Sequence, residues 1–215
     1  LIDSDLAGIE LRLFAHYLAR YDGGRYGKIL LEQDIHQVNA DKIGISRRQV
    51  KTITYCFLYG GGNQKLGLSY DNMLSPEAAK KKGAEIRRAY LDAVDGLEDL
   101  VEATKKVATR GSIRAIDKRQ ILVDKEHKAL NCLLQGSAAV IAKRWLLLTD
   151  AKLGNTTHER YAFVHDEQVL GAPAVNAEYI AEVCKLSALE AGEYYNLRLP
   201  IEADAQIGDN WAQVH

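Results

Sequence analysis

The sequence holds only three cysteines, Cys56, Cys132 and Cys184, odd in number and far apart. No CxxC pair occurs, so neither a cysteine zinc site nor a disulfide framework is indicated. Reduced thiols in a cytosol are the expectation. Long apolar runs are missing as well. Nothing is long enough to span a bilayer and no signal peptide is visible, so no membrane partner is expected. Excess charge of either sign is lacking, because the net charge is -1. The strongly basic balance that would point to nucleic acid is therefore absent, and any polyanion site must come from local clustering. Internal repeats and low-complexity segments are not found. Neither is an initial Met: Leu1 opens directly in a strand-like run, and a piece of a longer chain is expected. What remains is an ordinary globular composition over 215 residues, enough for one large domain or two small ones.

The informative stretch is residues 46–60. Ser46 and Gln49 fit the S/T-x-x-E/Q capping box, so a helix begins there, and Gly60, Gly61 and Gly62 end it. Arg47, Lys51 and Tyr55 recur every fourth residue and share one face, with Tyr59 one turn further. Arg47, Arg48 and Lys51 crowd the positive end of the helix dipole, where anions are preferred. A phosphate held between these cations would relieve that conflict, and the rings below could stack on a sugar or base. An amphipathic helix with a solvated basic end fits the same residues.

Other stretches carry weaker signals. Leu1 to Gly8 reads as a strand and turn, with Asp3 and Asp5 at its end. Two carboxylates before a helix suit a metal site, or simply caps. A helix follows from Ile9 to about residue 22. Asp34 caps a short helix that carries His36, a residue more often structural than a ligand. The glycine break at Gly60, Gly61 and Gly62 follows the basic helix. Helices are predicted over 76–94, after Ser75 and Pro76, and on to about Thr109. A β-hairpin covers 112–123. A helix over 126–151 places His127, Asn131 and Gln135 four apart, a stripe able to read base edges or merely the polar side of a helix. Two apolar strands over 161–171 flank His165-Asp166-Glu167. A helix over 179–195 and a strand over 199–207 complete the α+β pattern.

Singly these features are weak, but together they supply what nucleotidyl transfer needs. Two acidic residues from distant strands can share a pair of divalent cations about 4 Å apart, while a basic helix holds a triphosphate. The order of motifs resembles the polymerase domain of family A DNA polymerases, in particular the phage replicative branch. Asp5-Leu6-Ala7-Gly8-Ile9-Glu10-Leu11-Arg12 looks like motif A. The Arg-x₃-Lys-x₃-Tyr-x₃-Tyr-Gly spacing from Arg47 looks like motif B, and His165-Asp166-Glu167 like motif C. The segment from Ala129 to Gln135 is similar to the helix that contacts the primer–template minor groove. Asn210-Trp211-Ala212-Gln213-Val214-His215 and His127 are similar to the phage branch.

The resemblance implies roles by position. Asp5 and Asp166 would bind two Mg²⁺ ions, for which Mn²⁺ can substitute, with the Leu6 carbonyl as a further ligand. Asp3 is set aside, since motif A places its carboxylate five residues before Glu10. Glu10 would exclude a 2′-hydroxyl. His36, Arg47 and Lys51 would contact the triphosphate, with Lys51 also the acid for pyrophosphate release. Tyr55 would pack on the sugar of the dNTP and, as Tyr rather than Phe, imply tolerance of dideoxynucleotides. Tyr59 would stack at the templating position. His127, Asn131 and Gln135 would touch the minor groove, and His165 and Glu167 would support the primer terminus and metal site.

The implied fold is a right-hand polymerase without thumb or exonuclease domain. Palm is expected over 1–24, mainly fingers over 25–110, and palm again over 111–215. Expected partners are primer–template DNA, dNTPs, and a thumb and exonuclease portion or processivity factor. The expected setting is the cytoplasm of a phage-infected host. A single-subunit RNA polymerase fragment, a non-catalytic nucleic-acid-binding palm remnant and a metal-dependent nuclease are the competing readings. Glu10 and Glu167 argue against the first, the retained Asp5, Asp166, Lys51 and Arg47 against the second, and the stripe Arg47, Lys51, Tyr55 against the third.

Overall fold

The computed structural model describes all of residues 1–215. The chain forms two compact units, one of residues 1–13 and 136–215, the other of residues 14–135. No helix is long and apolar enough to cross a membrane.

The first unit is built on a four-stranded antiparallel sheet. Its strands are β1 (Ile2–Leu6), β4 (Glu159–Val164), β5 (Glu167–Gly171) and β6 (Ala203–Ile207), in the order β4-β5-β1-β6. Strand alternation sorts β1 cleanly. Ile2, Ser4 and Leu6 are buried on one face, while Asp3 and Asp5 project from the other. Helix α9 (Ala174–Tyr194) lies against β1 and β6. The Trp145 indole N–H donates to the Cys184 carbonyl at 2.8 Å, tying helix α8 (Ala129–Leu153) to α9 in the core. A short helix, α10 (Trp211–Val214), ends the unit.

The second unit is mostly helical. It contains the rest of α1 (Ile9–Asp22), then α2 (Arg25–Glu32), α3 (Ile35–Ile43), α4 (Arg47–Leu58), α5 (Asn63–Tyr70), α6 (Pro76–Ala93) and α7 (Leu97–Ala108). The hairpin of β2 (Ser112–Arg114) and β3 (Gln120–Leu122) follows. Its apolar residues pack with Ala108, Ala129 and Leu133 in a small core. Helices α5 and α6 approach closely because glycines face each other's backbone. A Cβ on Gly83 would sit 1.7 Å from the Asn63 carbonyl oxygen.

Several boundaries depart from the sequence expectations. Helices α2 and α5, the latter directly after the glycine break, were not foreseen. Helix α9 starts at Ala174, five residues before the expected start, with Pro173 as its N-cap. Strand β6 starts only at Ala203, since residue 199 lies in a bend and residues 200–202 take no part in the ladder. There the Arg12 guanidinium donates to the Pro200 carbonyl at 2.6 Å and pairs with Glu202 at 2.5 Å. The helix expected from residue 126 opens with a 3₁₀ turn, Glu126–Lys128, before α8 begins at Ala129. A 3₁₀ turn winds tighter than an α-helix. His127 therefore does not continue the α-helical stripe of Asn131 and Gln135.

Candidate active site

In the first unit, the turn between β4 and β5 places His165 in the left-handed region, with φ 56°. A non-glycine residue there is uncommon, and it aims the turn back over β1. The Leu6 N–H donates to the Asp166 carbonyl at 3.0 Å, and Asp5 lies opposite Glu167 in the antiparallel register. Residues 5 and 166, remote in sequence, thus come to adjoining strand ends. The sheet places Asp204 opposite Asp5 on the other side.

Acidic crowding is visible in the protonation equilibria. Asp5 is pushed up to about 6 by partial withdrawal from water and then by the Asp166, Glu167, Asp3 and Asp204 carboxylates. Asp166 is raised by burial and by the Glu10 carboxylate from the first turn of α1. Asp3 is raised by burial and by Glu167. Carboxylates held this close favour a proton or a cation among them. Oxygen donors of this kind suit hard divalent cations, so the residues present fit the expected metal.

A buried polar network holds the turn in place. Arg160 on β4 donates to the Gln168 side-chain oxygen at 2.5 Å and pairs with Asp150 on α8. The Gln168 amide donates to Thr149 at 3.3 Å. Sequence reading missed these four residues. Arg160 and Gln168 lie eight apart across a hairpin, so only the strand pairing relates them.

The second unit carries the basic stripe. The Ser46 hydroxyl accepts from the Gln49 N–H at 3.3 Å, and the Gln49 side chain accepts from the Ser46 N–H at 3.1 Å, closing the capping box. Asp34 caps α3 and also pairs with Arg47 through Nε at 2.5 Å. That counter-ion was not foreseen from the sequence, where Asp34 was read only as a cap. Lys51 is exposed one turn further along, and the Tyr55 and Tyr59 rings follow, stacked at 6.2 Å and 27°. His36 is buried beside Tyr55, with ring centroids 6.1 Å apart. Burial lowers its pKa, Arg47 and Lys51 lower it further, and Asp34 opposes them. His36 is therefore neutral near pH 7, with Nδ1 buried and without a hydrogen-bond partner.

Helix α4 stops because Gly60 takes φ 73°, which other residues rarely adopt. Gly61 folds so tightly onto Cys56 that a Cβ would lie 2.4 Å from its Sγ. This turn forms one wall of a cavity of about 370 Å³. His127 and Asn131 line the same cavity, and Gln135 is exposed two turns beyond His127. The expected site residues thus fall into two groups. The first unit brings together Asp5, Leu6, Glu10, His165, Asp166 and Glu167. The second assembles His36, Arg47, Lys51, Tyr55 and Tyr59 along α3 and α4, with His127 and Asn131 around the glycine turn.

The sequence profile of DNA polymerase family A matches residues 1–213. The chain is 33% identical to the DNA-directed DNA polymerase of Escherichia phage T7, over 98% of this chain and 33% of that protein. It is 27% identical to DNA polymerase I of Bacillus caldotenax, over 97% of this chain and 25% of that protein. The chain thus spans about a third or less of the length of these relatives. Its fold matches the POL domain of Pol1 from M. smegmatis, solved with DNA primer-template and dNTP. That match has a TM-score of 0.79 at 23% identity, covering 99% of this chain and 40% of the other. With the profile matching residues 1–213, nearly the whole length, the chain belongs to DNA polymerase family A.

Proposed function

We propose that this chain carries the nucleotidyl-transfer centre of a template-directed DNA polymerase, joining a dNTP to a primer 3′-hydroxyl in phage DNA replication. The observation that carries the proposal is the meeting of Asp5 and Asp166 at adjoining strand ends, where burial and then neighbouring carboxylates raise both pKa values. Asp5, Asp166 and the Leu6 carbonyl would hold two Mg²⁺ ions, or Mn²⁺ in their place. Such ions would supply a lowered pKa at the primer hydroxyl and neutralisation of the leaving pyrophosphate.

The chain's own residues would do the rest. Arg47 and Lys51 would hold the triphosphate through charge-assisted hydrogen bonds, with Arg47 exchanging its exposed Asp34 partner for phosphate. Neutral His36 can donate one hydrogen bond without adding charge. Lys51 would deliver a proton to the departing pyrophosphate as general acid. Tyr55 would pack on the sugar, and Glu10 would close the space where a 2′-hydroxyl would sit. Tyr59, half exposed at the end of α4, would stack at the templating base. His127, Asn131 and Gln135 would contact minor-groove acceptors common to all base pairs. His165 and Glu167 would support the primer terminus. On this reading residues 1–24 and 111–215 are palm and residues 25–110 mainly fingers. A thumb and exonuclease portion or a processivity factor would complete the enzyme in the host cytoplasm.

The test combines binding with extension. Mn²⁺ binding, followed by electron paramagnetic resonance, should weaken in Asp5→Ala and in Asp166→Ala. Primer extension, with any missing portion supplied in trans, should use deoxynucleotides in preference to ribonucleotides. Unchanged Mn²⁺ binding in both variants, or a preference for ribonucleotides, would end this assignment.

A further inference from the structure

A second cluster in the first unit shares only Glu167 with that centre. Asp3 lies two residues before Asp5 on β1 and so projects from the same sheet face. Its direct neighbour on β5 is Val169, which makes Glu167 its diagonal neighbour across the ladder. Helix α10 brings His215 to the same place, where its Nε2 lies 3.0 Å from the Glu167 carboxylate. The Trp211 ring stacks on the His215 ring at 3.9 Å and 14°, fixing the imidazole plane. Gly208 permits the tight approach of α10, since a Cβ there would meet the Gln213 Cβ at 2.6 Å.

The donor atoms of Asp3, Glu167 and His215 all lie within 4.8 Å of one another. Asp3 is 92% buried, being 8% exposed, and its Oδ1 has no hydrogen-bond partner. A buried carboxylate oxygen without a donor is costly, and its neighbour Glu167 can relieve it only through a shared proton or a cation. An ion pair between His215 and Glu167 alone explains neither fact. A proton shared by Asp3 and Glu167 would relieve the carboxylates, and a cation would do so while also engaging the His215 ring. Tetrahedral ligands at about 2.1 Å from an ion stand about 3.4 Å apart, so side-chain rotation of about 1 Å closes the set.

We propose that Asp3, Glu167 and His215 form a site for a divalent transition-metal ion, separate from the Asp5 and Asp166 pair, that clamps α10 onto the sheet. One imidazole with two carboxylates selects Zn²⁺ over Mg²⁺, which prefers oxygen ligands and retains its waters. Binding such an ion stabilises the folded state in proportion to its occupancy.

The probe is Zn²⁺, titrated calorimetrically into the intact chain carrying Asp5→Asn and Asp166→Asn, so that the other carboxylates do not contribute. One equivalent should bind, and Trp fluorescence should report a higher melting temperature in its presence. Adding Asp3→Asn or, separately, His215→Gln should weaken binding at least about 100-fold, the upper end of the loss seen when only a ligand-orienting partner is removed. His215→Gln changes an exposed residue and serves as the variant whose folding is least at risk; circular dichroism checks both. Failure of the Asp5→Asn, Asp166→Asn protein to bind Zn²⁺, or one-equivalent binding that neither further change weakens, would overturn the site. Neither result depends on polymerase activity.

Discussion

Replacing Asp5 with Asn should make the metal-free protein more stable at neutral pH, although the side chain is the one most central to the proposed chemistry. The Asp5 carboxyl is raised from 3.8 to about 6 in the folded chain. A raised folded-state pKa means that the folded form holds the proton more tightly. Its stabilising contribution is complete below about pH 4 and is lost as pH rises through 6. Above that, the ionised carboxylate strains against Asp166, Glu167, Asp3 and Asp204. A shift of this size corresponds to about 3 kcal/mol if fully expressed. Asp5 is exposed, so solvent screening reduces the expected effect to about 1–2 kcal/mol.

Both tryptophans, Trp145 and Trp211, lie in the first unit and report its unfolding. Urea denaturation with a chelator should show Asp5→Asn more stable than the parent by about 1–2 kcal/mol at pH 7.5. Near pH 4 the difference should vanish. Adding Mg²⁺ should then raise the parent's stability while leaving the variant nearly unchanged, reversing the order. A variant that is less stable at pH 7.5, or a difference that does not change with pH, would refute the electrostatic account of this cluster.

Other perturbations test the second unit. Ser46→Ala removes one half of the capping box on α4 and should cost about 1 kcal/mol in urea denaturation followed by circular dichroism. Gly83→Ala forces a Cβ to within 1.7 Å of the Asn63 carbonyl, so α5 and α6 must separate. The expected loss is about 2–3 kcal/mol, the upper range for overpacking, measured the same way. Lys51→Ala should weaken dNTP binding about 10- to 100-fold, the equivalent of one charge-assisted hydrogen bond of about 1.5–3 kcal/mol, read by equilibrium titration. Tyr55→Phe should sharpen discrimination against dideoxynucleotides in primer extension while leaving the helix intact.

What the sequence made legible was set by how locally each feature is determined. The cap of α4 is written within four residues, Ser46 to Gln49, and needs nothing else. The hairpin around Asp166 is written as two apolar runs about a polar turn. Helix α5 has the opposite character. Its N-cap is Gly62 with no side-chain bond, and Gly67 sits in its interior, so local propensity points to a break. It is helical because Gly67 and Gly83 let α5 and α6 pack backbone to backbone, a relation between residues sixteen apart. The short set Asp3, Glu167 and His215 was illegible for the same reason. Spacing along motif A singles out Asp5 and sets Asp3 aside, and it carries no information about which residue a later helix will bring over that strand. Only the turn at Gly208 and the stack of Trp211 on His215 bring the imidazole to that face. Motif spacing therefore locates chemistry shared across the family. Residues such as Asp3, outside the motif, acquire the proposed role only through tertiary contacts.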